Sequence, residues 1–299
     1  MRKFIFLFVY LWSVAVHAQE LALTFDDGLN PATEPSAREW NGQLLAGLAQ
    51  ASIRAMIFPA LSKIGGDEGK QLVMQWSTAG HLVGNHTSRH RSLASAKLSL
   101  AEFIQDVEDA DRALNTIPTW VPMLRFPFLK EGDTAEKRDG IRQWMRTHGY
   151  RPAPVSIDTS DWYFNQIWLA FLARGQSSKL VLVQRAYIDH LLGRAKYYDT
   201  LAKQTLHRSP AHVVLLHVNA INAASIGLLV NEFKANGWTF VAPAEAFADP
   251  LYAATPTTLP AGESIIWAHA KAAGASGLRY PAEDSVYEEP LLRAKNLLP

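Results

Sequence analysis

No cysteine occurs among the 299 residues. That excludes disulfide staples, thiolate metal ligands and a lipid-modified cysteine behind an export signal. An excess of one charge is missing as well. The 29 basic residues face 28 acidic ones, so the net charge is +1, which points to no nucleic-acid partner and no charged tail. There is no internal repeat, and long apolar runs are absent except at the start. There, Arg2 and Lys3 precede an apolar stretch from Phe4 to Val16, and Val16-His17-Ala18 supplies small residues ahead of a cleavage position. That stretch is shorter than the roughly 20 residues of a bilayer span. Residues 1–18 are therefore expected to be a signal peptide, with an uncleaved anchor as the alternative. The mature protein is expected to be exported, periplasmic or secreted, without stable membrane insertion once the signal is cleaved.

What is present is alternation. Strand-like runs at Leu21 to Phe25, Arg54 to Pro59, "HLVGNHT", "MLRFPF", "APVSID", "HVVLLHV" and "TFVAPAEAF" are separated by helix-like stretches. The helical stretches are Ala37 to Ala51, Lys70 to Ala79, Leu98 to Leu114, Glu136 to His148, a long mostly helical segment from Tyr163 to Leu206, and Ile221 to Asn236. Strands that alternate with helices form a parallel sheet covered by helices. The expected fold is α/β: a distorted (β/α) barrel of about seven parallel strands over residues 19–250. After Pro250 the composition turns loop-like and then rich in Ala, Gly and Glu. Residues 251–299 are expected to be an irregular extension packed on the barrel.

In such architectures chemistry collects where strands end. Asp26 and Asp27 end the first strand, His86 and His90 follow the third, and Arg125 lies in the fourth. Asp158 and Asp161 follow the fifth, and His217 ends the sixth. The i, i+4 spacing of His86 and His90 places both imidazoles on one face if the segment makes a helical turn, so that they can pinch one metal ion, with Asp27 as third ligand. Two histidines and one carboxylate leave a coordination position open for water, the pattern of a hydrolytic zinc site; Zn2+ suits the set, and Co2+, Ni2+ or Mn2+ would also bind. A cation also explains how two adjacent carboxylates coexist in a cleft. Asp26 then remains free to accept a proton, and Arg125, which needs a partner if buried, is assigned to it. His217 is a general-acid candidate if a carboxylate orients it, and Asp161 is placed to do so. The plainer alternatives are exposed histidines on a helix, an Asp-Asp-Gly turn, a surface arginine and a structural histidine.

Five of these stretches, in order, are "TFDDG" (residues 24–28), "HTSRH" (86–90), "RFPF" (125–128), "DTSDW" (158–162) and "LLH" (215–217). With them the chain resembles the polysaccharide deacetylases of carbohydrate esterase family four, from about Leu21 to Ala248. The resemblance implies a metal held by Asp27, His86 and His90, Asp26 as general base with Arg125 beside it, and His217 as general acid tuned by Asp161. It further implies that the backbone N–H of Phe128 faces the oxyanion, that Trp162 walls a groove and that Leu215 lines a pocket for the acetyl methyl. Phe128 stands where the family commonly has tyrosine, Leu129 where glycine often follows, and "LNP" where proline often comes directly. The implied reaction is hydrolysis of the N-acetyl group of an acetylated amino sugar in a poly- or oligosaccharide. An O-acetyl esterase on xylan-like glycans and an inactive glycan-binding relative are the alternatives.

Overall fold

The first strand is a run of side chains with no room for water: Leu21, Ala22, Leu23 and Phe25 are fully buried, and so is Thr24. A strand covered on both faces reads as a continuous apolar run, and helices must then pack against both of its sides. The computed structural model describes residues 19–280 and 286–299. The signal-peptide expectation for residues 1–18 lies outside them.

The chain order is β1 (Gln19–Asp27), α1 (Ala37–Gln50), β2 (Met56–Pro59), α2 (Leu61–Ile64), α3 (Asp67–Thr78), β3 (Leu82–Asn85), α4 (Leu100–Leu114) and β4 (Trp120–Leu124). A 3-10 turn at Pro127–Leu129 leads to β5 (Lys130–Gly132), α5 (Ala135–Thr147), β6 (Arg151–Pro152), α6 (Asp161–Ala173), α7 (Ser177–Leu206) and β7 (His212–His217). Then follow α8 (Ala220–Ala235), β8 (Trp238–Phe240), α9 (Pro243–Ala246), β9 (Ala261–Gly262), α10 (Ile265–Ala272) and α11 (Glu288–Ala294).

The main sheet has seven strands in the order β6-β4-β3-β2-β1-β7, with β8 also on β1, and every pairing in it is parallel. The segment after β6 crosses from the β4 edge to the β7 edge, where Ile157 bridges Val214. One stretch of chain thus closes the circle, which makes the molecule the distorted parallel barrel expected from the alternation.

Three local expectations are corrected. "APVSID" is not a strand: β6 ends at Pro152 and only Ile157 pairs further on. Pro152 and Pro154 have no N–H to give to a ladder. "MLRFPF" is a strand only to Leu124, because Phe128 and Leu129 take left-handed φ of 57° and 56°. His86 and His90 do not share a helical turn. They lie in a loop after β3 in which Thr87 and His90 have φ of 69° and 53°. The mostly helical segment expected from Tyr163 to Leu206 is present, as two helices broken where Gly175 adopts φ 65°.

The extension is tied to the barrel by backbone bonds. β9 pairs antiparallel with β5, and Ile265 N–H donates to the Val155 carbonyl at 2.8 Å. No helix among the described residues is long and apolar enough to cross a membrane.

Candidate metal and acid–base site

Sheet register assembles half of the site. β1 pairs with β7 so that Asp26 is level with His217 and Thr24 with Leu215. Side chains two apart on a strand share a face, so Thr24, Asp26, Leu215 and His217 lie on one surface, Leu215 beneath His217. Asp27 is the last residue of β1, and its φ of 75° turns its carboxylate away from that row.

On one side stands a cluster of metal-ligand type. Asp27, His86 and His90 each offer a ligand atom, and these atoms all lie within 4.8 Å of one another. Asp27 Oδ1 is 3.2 Å from His90 Nε2 and 3.8 Å from His86 Nε2. That oxygen is buried and accepts no hydrogen bond, a costly state for a carboxylate unless a cation meets it. His86 Nδ1 lies 2.8 Å from the Arg125 carbonyl. A carbonyl only accepts, so Nδ1 carries the proton and Nε2 presents its lone pair toward Asp27, the usual outer support of a ligating histidine. Burial, reinforced by His90, pushes His86 down to about 3, and burial lowers His90 too, so both imidazoles are neutral donors at neutral pH. Asp27 is held below the usual carboxylate range: burial is the largest single influence and opposes it, but His217, His86, His90 and Lys63 together outweigh that cost. The donor set therefore fits a divalent cation: one anion, two neutral nitrogens and an oxygen without a partner.

On the other side stand two charge pairs. Arg125 is fully buried, and its Nη1 contacts Asp26 Oδ1 at 3.2 Å and Oδ2 at 3.4 Å. Its Nη2 donates to Thr24 Oγ1 at 3.1 Å and its Nε to the Ala153 carbonyl at 2.5 Å, so the guanidinium is locked from three directions. Burial pushes Asp26 up to about 7 against the pull of Arg125 and His217, which suits a base working near neutral pH. His217 Nδ1 meets Asp161 Oδ1 at 2.7 Å, and its backbone N–H donates to Asp161 Oδ2 at 2.7 Å. Asn219 and Asn222 donate to the same carboxylate at 3.0 and 2.7 Å. Burial works against a charge on His217, but Asp161, with Asp27 and Asp26 beyond it, prevails and raises it to about 10. Its Nε2 is left free to hold a proton.

Of the residues singled out in the sequence, Asp26, Asp27, His86, His90, Arg125, Asp161 and His217 converge. Phe128 is 58% exposed, with its ring centroid 4.7 Å from that of His90. Trp162 is half-buried in the first turn of α6, and Leu215 is buried. Several supporting groups gave weak or no sequence signal. Thr24 lay inside a noticed motif, and Asn219 and Asn222 stood close after His217. The Ala153 carbonyl and Lys63, whose Nζ is 3.5 Å from Asp27 Oδ2, had none. His190 of α7 had none either: its Nε2 accepts the Ser160 N–H at 3.0 Å and its Nδ1 faces Glu288 of α11 at 3.2 Å.

The fold is shared with solved carbohydrate-esterase and deacetylase structures. A Streptococcus mutans family-four esterase superposes with a TM-score of 0.53 at 19% identity, covering 76% of this chain and 86% of its own. Peptidoglycan deacetylase PdaC of Bacillus subtilis gives 0.51 at 19% identity over 78% and 91%. At that identity the likeness speaks for fold. The polysaccharide deacetylase family model matches residues 13–153, which include the first three motifs. The chain is 28% identical over 213 residues to the chitooligosaccharide deacetylase of Rhizobium leguminosarum bv. trifolii, across 70% of this chain and 90% of that one. It is 27% identical over 156 residues to the peptidoglycan-N-acetylglucosamine deacetylase of Bacillus cereus, across 52% of this chain. That match spans 50% of the Bacillus cereus protein's length. The first half of the chain thus matches the polysaccharide deacetylase family, and the curated relatives it is similar to are deacetylases.

Proposed function

We propose that the protein is an exported, metal-dependent deacetylase that hydrolyses the N-acetyl group of acetylated amino sugars in a poly- or oligosaccharide. The observation that carries this reading is the buried Asp27 Oδ1, which has no hydrogen-bond donor and faces two imidazole nitrogens. Asp27, His86 and His90 would hold the ion, most suitably Zn2+. When bound there, a divalent cation supplies the positive charge that polarises a carbonyl and makes a neighbouring water more acidic.

The remaining chemistry belongs to side chains. Asp26, unligated and held by Arg125, takes a proton from the attacking water. His217 delivers a proton from Nε2 to the leaving amine, with Asp161 fixing its tautomer through Nδ1. The oxygen that gains charge on the former carbonyl is met by the Phe128 N–H. Leu215 bounds the space for the methyl group, and Trp162 walls the groove. Acetate and a free amino sugar leave. The names of the relatives support a glycan substrate: one is described as acting on peptidoglycan N-acetylglucosamine, another on chitooligosaccharide.

The test is metal analysis of the purified protein, with acetate release measured before and after chelation and on restoring zinc. Activity should vanish with the metal and return with it; full activity in metal-free protein overturns the mechanism. Asp26→Asn should retain the metal and lose about a hundredfold or more in kcat. Acetylated xylan, run beside N-acetylglucosamine oligomers, distinguishes ester from amide hydrolysis.

A further inference from the structure

The segment that brings Asp161 to His217 runs from β6 to α6 without being a strand. Backbone groups outside a ladder must find partners elsewhere. β7 supplies two contacts: the Leu215 N–H donates to the Ile157 carbonyl at 3.0 Å, and Thr159 Oγ1 donates to the Leu215 carbonyl at 2.7 Å. Two side chains of α7, one helical turn apart, supply the others. Arg194 Nε donates to the Asp158 carbonyl at 3.2 Å, and His190 Nε2 accepts the Ser160 N–H at 3.0 Å. Ser160 is the cap residue of α6, and Asp161 is the first residue of that helix.

A ring nitrogen that accepts an N–H carries no proton itself, so the proton of neutral His190 sits on Nδ1. That nitrogen faces Glu288 Oε2 of α11 at 3.2 Å. Burial keeps His190 below the ordinary histidine range against the pull of Glu288, so the ring is neutral. Glu288 thereby selects the tautomer that can receive Ser160, and Arg279 Nη2, 2.5 Å from Glu288 Oε1, balances its charge. A side chain needed only to pack α7 on α6 would act through its apolar surface. The His190 ring does lie 5.0 Å from that of Phe164, but leucine would serve there equally. Both nitrogens of His190 are engaged instead, on a side chain that is almost fully buried.

The bonds to the Asp161 carboxylate come from His217, Asn219 and Asn222. They tie the carboxylate to the end of β7 and the start of α8. The backbone that carries Asp161 is gripped from α7.

We propose that His190, its tautomer set by Glu288, is a positioning residue for the general acid: it pins the first turn of α6 so that Asp161 meets His217 at bonding distance. The proposal rests on the deacetylase reading above. It gives α7 and α11 a part in the reaction without contact with substrate.

The experiment compares wild type with His190→Leu, His190→Gln and Glu288→Gln for acetate release from N-acetylglucosamine oligomers, metal content and thermal midpoint. His190→Leu should lower kcat about tenfold or more, with KM and metal content little changed, because a small misplacement of a reacting group costs rate rather than binding. His190→Gln offers an oxygen in place of Nε2 and should keep most of kcat. Glu288→Gln should lose less than His190→Leu, in the same parameter. A lowered midpoint with kcat unchanged marks a purely structural residue and overturns the proposal, as does a loss in His190→Gln equal to that in His190→Leu. If His190→Leu does not fold, Glu288→Gln carries the kinetic test, and an unchanged kcat there overturns it. Crystal structures of wild type and the same variant read the geometry independently of turnover. The Asp161 Oδ1 to His217 Nδ1 separation of 2.7 Å should lengthen when the acceptor is lost. An unchanged separation rejects the positioning role whatever the rates. If wild type releases no acetate, the deacetylase reading fails, and the positioning of Asp161 is decided by that separation alone.

Discussion

At the scale of single residues, the site is organised by what each ionisable group is allowed to be. Asp26 and Asp27 are neighbours in sequence and opposite in state: burial lifts the first to about 7, while nearby positive charge holds the second low. A base and an anionic ligand need those two states. His217 is the complementary case, a cation until about pH 10 because Asp161 accepts from its Nδ1 and backbone N–H. The pH profile follows. In the proposed mechanism, activity requires Asp26 without its proton and His217 with its proton. kcat/KM should rise with pH through the first titration and fall through the second, leaving a plateau between about 7 and about 10, with a cation on Asp27 drawing the acid limb lower. In Asp161→Asn the acceptor that keeps His217 charged is gone, so the alkaline limb should move down toward the ordinary histidine range. An alkaline limb that stays in place would separate Asp161 from that role.

At the scale of elements, strand ends and tight turns do the placing. Parallel pairing of β1 with β7 sets Asp26 beside His217 with no help from loops. The motif after β4 is held differently, by a positive-φ turn braced by β9. Gly262 is the residue that permits the brace, since its own φ is positive and its missing side chain leaves the space that the Leu129 carbonyl fills. Gly262→Ala should cost about 1–3 kcal/mol from backbone strain alone, read as a lowered thermal midpoint. The displaced Phe128 turn should also reduce kcat/KM. A variant with wild-type midpoint and rate would show that the brace is dispensable.

At the scale of the whole molecule, the extension is coupled to the barrel through charge. Glu288 of α11 faces His190 Nδ1 at 3.2 Å and also pairs with Arg279. Burial works against its ionisation, but the hydrogen bonds and charges of His190 and Arg279 prevail and hold its carboxyl below the usual glutamate range. A depressed carboxylate contributes stability that is present above its unfolded pKa and lost as pH falls through the folded one. The midpoint of wild type should therefore exceed that of Glu288→Gln at pH 7, and the difference should disappear once the pH has dropped through the folded pKa of Glu288. A gap that persists unchanged into that acid range would rule out an ionised Glu288 as its source. His190 also accepts from the Ser160 N–H, one residue before Asp161, so polar contacts run from Glu288 of the extension to the residue preceding the partner of His217.

The sequence by itself determined the alternation of strands and helices, hence the parallel barrel. It also determined the chemical identity of the groups at the strand ends, because apolar period and residue type are local properties. It misjudged the path of the chain wherever proline or positive φ replaced regular structure, as at residues 86–90, 125–129 and 153–158. Which of those groups meet was decided only by tertiary structure. Arg125 reaches Asp26 across 99 residues and Asp161 reaches His217 across 56, and no local pattern encodes a register between strands so far apart. The protonation states belong to the same level: burial and neighbouring charges set them, and both arise only when the barrel closes.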